Sequence, residues 1–304
     1  MDTAELDRLV AEIGEEILRR TNRLGALPPK GEGLNIPDLV CPGCTQRCPQ
    51  TCERKAKEIV KAGACRLSAS DKTTKIDPSI AGLIDHTLLR ADATRDDIVK
   101  VCREARKYSF ASVCVNAYWV PVVAAELAGS TVKVCTVVGF PLGATSTEAK
   151  VAETQAALRV GAQEIDMVQN VGALRSGDYD AVKADIAAVV EATHRAGAIV
   201  KVILETALLD DNQKAMACML AKMAKADFVK TSTGFGPSGA TVHDVELMRM
   251  AVGPDMGVKA SGGIRSLDDL RKMAAAGATR IGASASVKIV EATAGKQETA
   301  GAGY

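Results

Sequence analysis

Two lysines stand inside apolar runs with small residues directly after them: Lys230 in "FVKTSTGF" and Lys259 in "GVKASGG". An ammonium belongs in water, and burial lowers its pKa because desolvation disfavours the charged form; a second amine nearby lowers it further. A buried amine driven neutral in this way attacks carbonyl carbon and condenses to a Schiff base. Asp85 in "LIDHTLL", Asp166 in "EIDMVQN", and Lys201 and Glu205 in "KVILETALL" also interrupt apolar runs. Asp166 is of the right type to move protons and to keep one lysine charged while the other is neutral. For Lys201 and Glu205 two readings stand side by side, a buried ion network that holds strands together and a supporting role in catalysis. A purely structural role suits Lys230 and Lys259 less well, because two ammoniums near the ends of neighbouring strands repel each other.

These residues need a scaffold that points them at one place. From residue 76 onward, short β-branched runs alternate with longer amphipathic stretches, beginning at 82, 111, 133, 164, 199, 228, 256 and 280. Between them, Thr94, Ser146 and Ser266 provide helix start signals, and Gly161, Gly197 and Gly277 provide stops. Eight such units over residues 76–295 predict an α/β fold, a closed (β/α)8 TIM barrel, with the charged residues toward the C-terminal halves of their strands, where barrel enzymes keep their chemistry. An open doubly wound sheet is the alternative, but no glycine fingerprint follows the first strand. Glycine-rich turns after the seventh and eighth strands, "ASGGIRS" with Gly262 and Gly263 and "IGASAS" with Gly282 and Ser284, fit a phosphate pocket at the opening of the last helix.

Composition narrows the function classes. A net charge of +1 gives no electrostatic case for nucleic acid or an acidic membrane, and 3% aromatic residues leave few platforms for base stacking. No run is long and apolar enough for a membrane span, and the first residues lack the basic-then-apolar order of a secretory signal, so a cytoplasmic protein is expected. Nine cysteines, an odd number, argue against a disulfide framework. Cys102, Cys114, Cys135 and Cys218 sit in apolar or helical contexts and are expected to fill core space. Residues 1–20 place Leu6, Leu9, Val10, Ile13 and Ile17 on one helical face; residues 21–40 form a Pro/Gly-rich linker; residues 296–304 form a flexible tail. Over residues 41–75, Cys41, Cys44, Cys48 and Cys52 are spaced so that four thiolates could converge on zinc or an iron–sulfur cluster, with an empty, redox-sensitive cysteine loop as the other reading.

Taken together and in order, "LIDHTLL", "EIDMVQN", "KVILETALL", "FVKTSTGF" and "GVKASGGIR" resemble the deoxyribose-phosphate aldolase family over residues 76–304. The resemblance implies a class I, metal-free aldolase that reversibly cleaves 2-deoxy-D-ribose 5-phosphate to acetaldehyde and D-glyceraldehyde 3-phosphate, with no cofactor for catalysis. It implies Lys230 as the Schiff-base lysine, Lys259 as the residue that perturbs its pKa and exchanges protons, and Asp166 as proton donor or acceptor. Asp85 would belong to the surrounding relay, and Gly262, Gly263, Gly282 and Ser284 to the phosphate pocket. Ala285 stands where family members often carry a second serine, so one phosphate hydrogen bond is missing or comes from Ser286. Tyr304 has two readings, a terminal tyrosine that folds over the site and a disordered end. The opening helix resembles the encapsulation peptides that carry enzymes into bacterial microcompartments, which would make a shell protein a partner; packing on the barrel or at a dimer interface is the alternative. A homo-oligomer is the expected assembly. A Schiff-base aldolase of related phosphorylated substrates and a catalytically inactive barrel scaffold are the competing functions.

Overall fold

The computed structural model describes residues 78–293. The helix, linker and cysteine segment expected over residues 1–75, with Cys41, Cys44, Cys48 and Cys52, lie outside the described residues, as does the tail ending at Tyr304. In chain order the elements are α1 (Pro78–Ala81), β1 (Ile84–Leu88), α2 (Arg95–Tyr108), β2 (Ser112–Val115), α3 (Val120–Glu126), β3 (Lys133–Val138), α4 (Thr147–Arg159) and β4 (Glu164–Val168). They continue with α5 (Val171–Arg175), α6 (Tyr179–His194), β5 (Ile199–Ile203), α7 (Asp211–Met223), β6 (Phe228–Lys230), α8 (Val242–Val252), β7 (Gly257–Ser261), α9 (Leu267–Ala275), β8 (Arg280–Ala283) and α10 (Ser286–Thr293). All eight strands pair in parallel with their sequence neighbours, and β8 closes on β1, so each of the eight expected runs supplies one stave of a closed barrel.

Alternation along each strand explains why the barrel closes around charge. Ile165, Met167, Val200, Val202, Val229, Val258 and Ile281 are fully buried and join one apolar cluster with helix residues such as Ile98, Ile186, Val189, Met248 and Ile289. The intervening positions, Asp166, Lys201, Lys230, Lys259 and Arg280, are buried on the other face, inside the barrel. The helices begin where expected. Thr94 accepts from the Asp97 backbone N–H and Ser266 from that of Asp269, each in a reciprocal capping box, and Ser146 accepts from Ala149.

The strands are shorter than the runs that announced them, and this moves several charges. Asp85 is the second residue of five in β1, and Asp166, Lys201 and Lys259 are each third of five, so they occupy the middle of the barrel rather than its rim. Lys230 alone of these is the last residue of its strand. Glu205 lies beyond β5 with φ at +54° and accepts hydrogen bonds from the Thr233 backbone N–H and hydroxyl, pinning the turn after β6.

Candidate active site

Register sets the heights of the amines. Ile203 of β5 pairs with Lys230 of β6, and Lys201 pairs with Phe228, so Lys230 sits one inward-facing layer closer to the C-terminal mouth than Lys201. Lys230 in turn pairs with Lys259 across β6 and β7.

Asp166 is the hub that these amines share. Its Oδ1 accepts from Lys201 Nζ at 2.7 Å, and its Oδ2 accepts from both Lys230 Nζ at 2.9 Å and Lys259 Nζ at 2.7 Å. Asp85 forms a second hub, with Oδ2 at 2.6 Å from Lys259 Nζ and Oδ1 accepting from Arg280 at 2.7 Å and from the Ser112 hydroxyl at 2.6 Å. Glu164 joins Lys201 at 2.7 Å to Arg280 at 3.0 Å. Within this interior network of the described residues, three carboxylates (Asp85, Glu164, Asp166) face four cations (Lys201, Lys230, Lys259, Arg280), all with side chains no more than 4% exposed.

Burial would raise the Asp166 pKa, but the ammoniums of Lys201, Lys230 and Lys259 outweigh it and hold the carboxyl well below the usual range. Asp85 is lowered as well: burial opposes ionisation, and Arg280, Lys259 and Lys201 overcome it. Lys259 departs from expectation. Burial does push its ammonium toward the neutral form, but Asp166 and Asp85 more than compensate, so its pKa lies above the ordinary lysine value. The same balance, struck with Asp166 first among the carboxylates, raises Lys201. Neighbouring amines were expected to depress one another; the carboxylates across the barrel reverse that sign for Lys259. The arrangement therefore holds a proton on Lys259 and keeps one off Asp166, side by side around Lys230.

Two further expectations change. Cys102 and Cys218 do pack in the apolar core, but Cys135 does more than fill space. Its thiol lies 3.3 Å from Asp166 Oδ1 and 3.4 Å from Lys201 Nζ, and Cys114 is its direct partner across β2 and β3. Ser286, one of the two expected sources of a phosphate hydrogen bond, is fully buried with its hydroxyl already engaged: it donates to the Ala283 carbonyl at 2.8 Å and lies 3.0 Å from His86 Nδ1.

At the mouth, Gly262 and Gly263 take positive φ angles of +85° and +79°. A side chain at Gly239, in the turn after β6, would meet the Gly262 carbonyl oxygen at 2.2 Å, so these two turns pack backbone on backbone. Gly282 lies within β8, and a Cβ there would come within 3.1 Å of Lys259 Cε; its lack of a side chain makes room for that lysine. Ser284 is exposed just beyond β8. The buried hydroxyls of Ser232 and Ser261 have no hydrogen-bond partner among the described residues and are free to meet a polar ligand. Phe140 and Phe235 meet edge-on at 5.3 Å across the rim. A cavity of about 440 Å³ opens at the opposite end, lined by strand-start residues including Lys133, Glu164, Phe228 and Arg280, away from the Lys230 amine.

Sequence reasoning missed Glu164, Arg280, Ser112 and Cys135 as members of the network. A signal existed for Glu164: it stands two residues before Asp166, so strand alternation sends both side chains inward. Arg280 stands likewise two residues before Gly282.

The chain matches the model of the DeoC/LacD aldolase family over residues 80–300. It is 59% identical over 212 residues to a deoxyribose-phosphate aldolase of Bacillus cereus, an alignment covering 70% of this chain and 95% of that protein. A deoxyribose-phosphate aldolase of Bacillus anthracis is 58% identical with the same coverage. Among solved structures, the tetrameric deoxyribose phosphate aldolase of Aeropyrum pernix superposes with a TM-score of 0.67 at 36% identity, covering 78% of this chain and 97% of that one.

Proposed function

The chain belongs to the DeoC/LacD family of aldolases and is a deoxyribose-phosphate aldolase, and on that premise we propose that Lys230 is the amine that forms the Schiff base. The observation that carries this assignment is the bridge at Asp166 Oδ2, which binds Lys230 at 2.9 Å and Lys259 at 2.7 Å with Lys230 on the strand end nearer the mouth. Lys230 Nζ, as the neutral amine, attacks C1 of the open-chain sugar, and loss of water leaves an iminium at C1, next to C2. The two-carbon product requires the C2–C3 bond to break: its electrons move toward the iminium as the C3 hydroxyl loses its proton and C3 becomes the aldehyde of glyceraldehyde 3-phosphate. Protonation of the resulting enamine at C2 and hydrolysis then release acetaldehyde. Lys259, which retains its proton, is the acid for the enamine; Asp166, held ionised, is the base and the counter-ion of the iminium. Asp85 anchors Lys259, and Lys201 braces Asp166 from the opposite oxygen.

Gly262, Gly263 and Ser284 form the phosphate end, an assignment supported by their place after β7 and β8 and by the unpartnered Ser261 hydroxyl beside them. Borohydride reduction in the presence of 2-deoxyribose 5-phosphate, followed by peptide mapping, is expected to leave a single adduct on Lys230. An adduct on Lys201 or Lys259 instead would overturn the assignment. Tyr304 is proposed to assist proton transfer at this site, and deletion of that residue is expected to slow turnover without moving the adduct.

Residues 1–20 are proposed to address the enzyme to a microcompartment shell, supported by the apolar face of Leu6, Leu9, Val10, Ile13 and Ile17. Their deletion should abolish co-purification with shell proteins and leave aldolase activity intact; persistent co-purification would overturn the idea. For Cys41, Cys44, Cys48 and Cys52, a bound zinc ion or iron–sulfur cluster is proposed on their spacing. Elemental analysis of the full chain and of a Cys44→Ser variant should differ by that metal. Homo-oligomeric assembly is the remaining proposal, and light scattering tests it.

A further inference from the structure

His86 lies outside the amine network, and nothing in the chemistry above uses it. It follows Asp85 in β1, is 3% exposed, and spans two helices: Nε2 lies 2.8 Å from Glu104 Oε2 of α2, and Nδ1 lies 3.0 Å from the hydroxyl of Ser286, the first residue of α10. His86 also pairs in register with Ala283, the last residue of β8, whose carbonyl accepts from the Ser286 hydroxyl at 2.8 Å. One imidazole thus holds together the last strand, the turn Ser284–Ala285 and the start of α10. The partners limit how the hydrogens can be arranged. An ionised Glu104 only accepts, so Nε2 carries a hydrogen; Ser286 has one hydrogen to give, to Nδ1 or to the Ala283 carbonyl. Given to Nδ1, that hydrogen bonds Ser286 to His86 and fixes the first residue of the helix against the strand end; given to the Ala283 carbonyl, it leaves Nδ1 bonded to Ser286 only where Nδ1 itself carries a hydrogen. Phe110 packs on the imidazole with ring centroids 5.2 Å apart and helps hold its orientation.

We propose that His86 is a positioning residue for the phosphate end of the site, clamping Ser286 so that the turn between β8 and α10 presents its backbone N–H groups to the substrate's phosphate. This rests on the phosphate-end reading given above. Independent of the helix terminus, the Ser261 hydroxyl is buried at 7% exposure, lacks a hydrogen-bond partner among the described residues, and lies 3.1 Å from where a Cβ at Gly282 would be. It is a polar group ready for a ligand beside the same strand end.

The test uses the full-length enzyme, inorganic phosphate as the binding probe, and 2-deoxyribose 5-phosphate and unphosphorylated 2-deoxyribose as substrates. Ser286→Ala removes the clamped hydroxyl, His86→Gln retains a group near Nε2 for Glu104 but none near Nδ1, and His86→Asn retains a group near Nδ1 for Ser286. Ser286→Ala and His86→Gln should each raise the phosphate Kd and the KM for the phosphorylated sugar on the order of tenfold, the effect of one lost hydrogen bond. For both, kcat should stay within about twofold and the unphosphorylated sugar should be converted as by the parent enzyme. His86→Asn should recover most of the loss. Equal losses on both substrates, or an unchanged phosphate Kd in Ser286→Ala, would overturn the proposal; the second criterion applies even if the His86 variants fail to fold. Failure of the aldolase chemistry itself is read separately, as the lack of a borohydride adduct on Lys230 in the parent enzyme, while the phosphate titration still reports on the clamp.

Discussion

Replacing Asp166 with Asn removes the carboxylate shared by Lys201 at 2.7 Å, Lys230 at 2.9 Å and Lys259 at 2.7 Å, leaving Asp85 and Glu164 to face four buried cations. Breaking a buried pair by removing one partner costs about 3–5 kcal/mol, so Asp166→Asn should lose that much stability at pH 7. The variant can recover part of it only by releasing a proton from one of the crowded amines, and this gives the loss a pH signature. In the parent protein, Asp166 and Asp85 are depressed, so their contribution is present above roughly pH 4 and is lost as pH falls further. Lys201 and Lys259 are raised, so theirs is present below roughly pH 10 and is lost as pH rises beyond it. Between those limits the four groups add almost no slope. In Asp166→Asn an amine with a depressed pKa binds fewer protons folded than unfolded, so stability should rise with pH below roughly pH 10, by up to about 1.4 kcal/mol per unit for each proton released. Urea unfolding of both proteins at pH 7 and pH 9 measures this directly. A variant within about 1 kcal/mol of the parent at pH 7, or with the parent's slope, would refute the hub role of Asp166.

Three shorter expectations follow from the same geometry. Lys259→Met should lower kcat by on the order of 10²–10⁴, the usual worth of a general acid, yet still yield a Lys230 adduct on long incubation with borohydride; loss of the adduct would show that Lys259 is needed for imine formation itself. Gly257→Ala would put a methyl group 2.2 Å from the Phe228 ring, against which Arg280 stacks at 5.4 Å, and should cost about 1–3 kcal/mol by overpacking, read as a lower Tm. Burial pushes the Cys102 thiol up to about 12, so iodoacetamide at pH 8 should leave Cys102 unmodified in the folded protein and alkylate it once urea unfolds the chain.

How much of this could be read in the sequence depends on distance along the chain. The eight strands were legible because each run is bounded by caps and glycines a few residues away, and alternation within "EIDMV" or "VKV" names the inward side chain without knowledge of any other strand. The contacts of Ser286 and Cys135 were not legible because their partners, His86 for the first and Asp166 and Lys201 for the second, lie on other elements. The sign of the Lys259 shift was misjudged for the same reason. Desolvation and a neighbouring amine are local properties of "GVKAS", whereas Asp85 and Asp166 come from β1 and β4 and reach β7 only when the barrel closes.

The choice of nucleophile among three buried lysines also depends on closure. Lys201, Lys230 and Lys259 are alike as sequence, each a lysine after valine in an apolar run, and all three touch Asp166. Register separates Lys201 from the other two: the short β6 ends at Lys230 and pairs it with Ile203, one inward-facing layer beyond Lys201, and with Lys259 of β7. Carboxylates are distributed in the opposite sense. Lys201 contacts Glu164 and Asp166 with Asp85 at 3.8 Å, and Lys259 contacts Asp85 and Asp166, whereas Lys230 pairs only with Asp166 among the described residues. The lysine at the end of its strand is therefore also the one with the fewest carboxylate partners, and Lys201, Lys230 and Lys259 together hold Asp166 ionised.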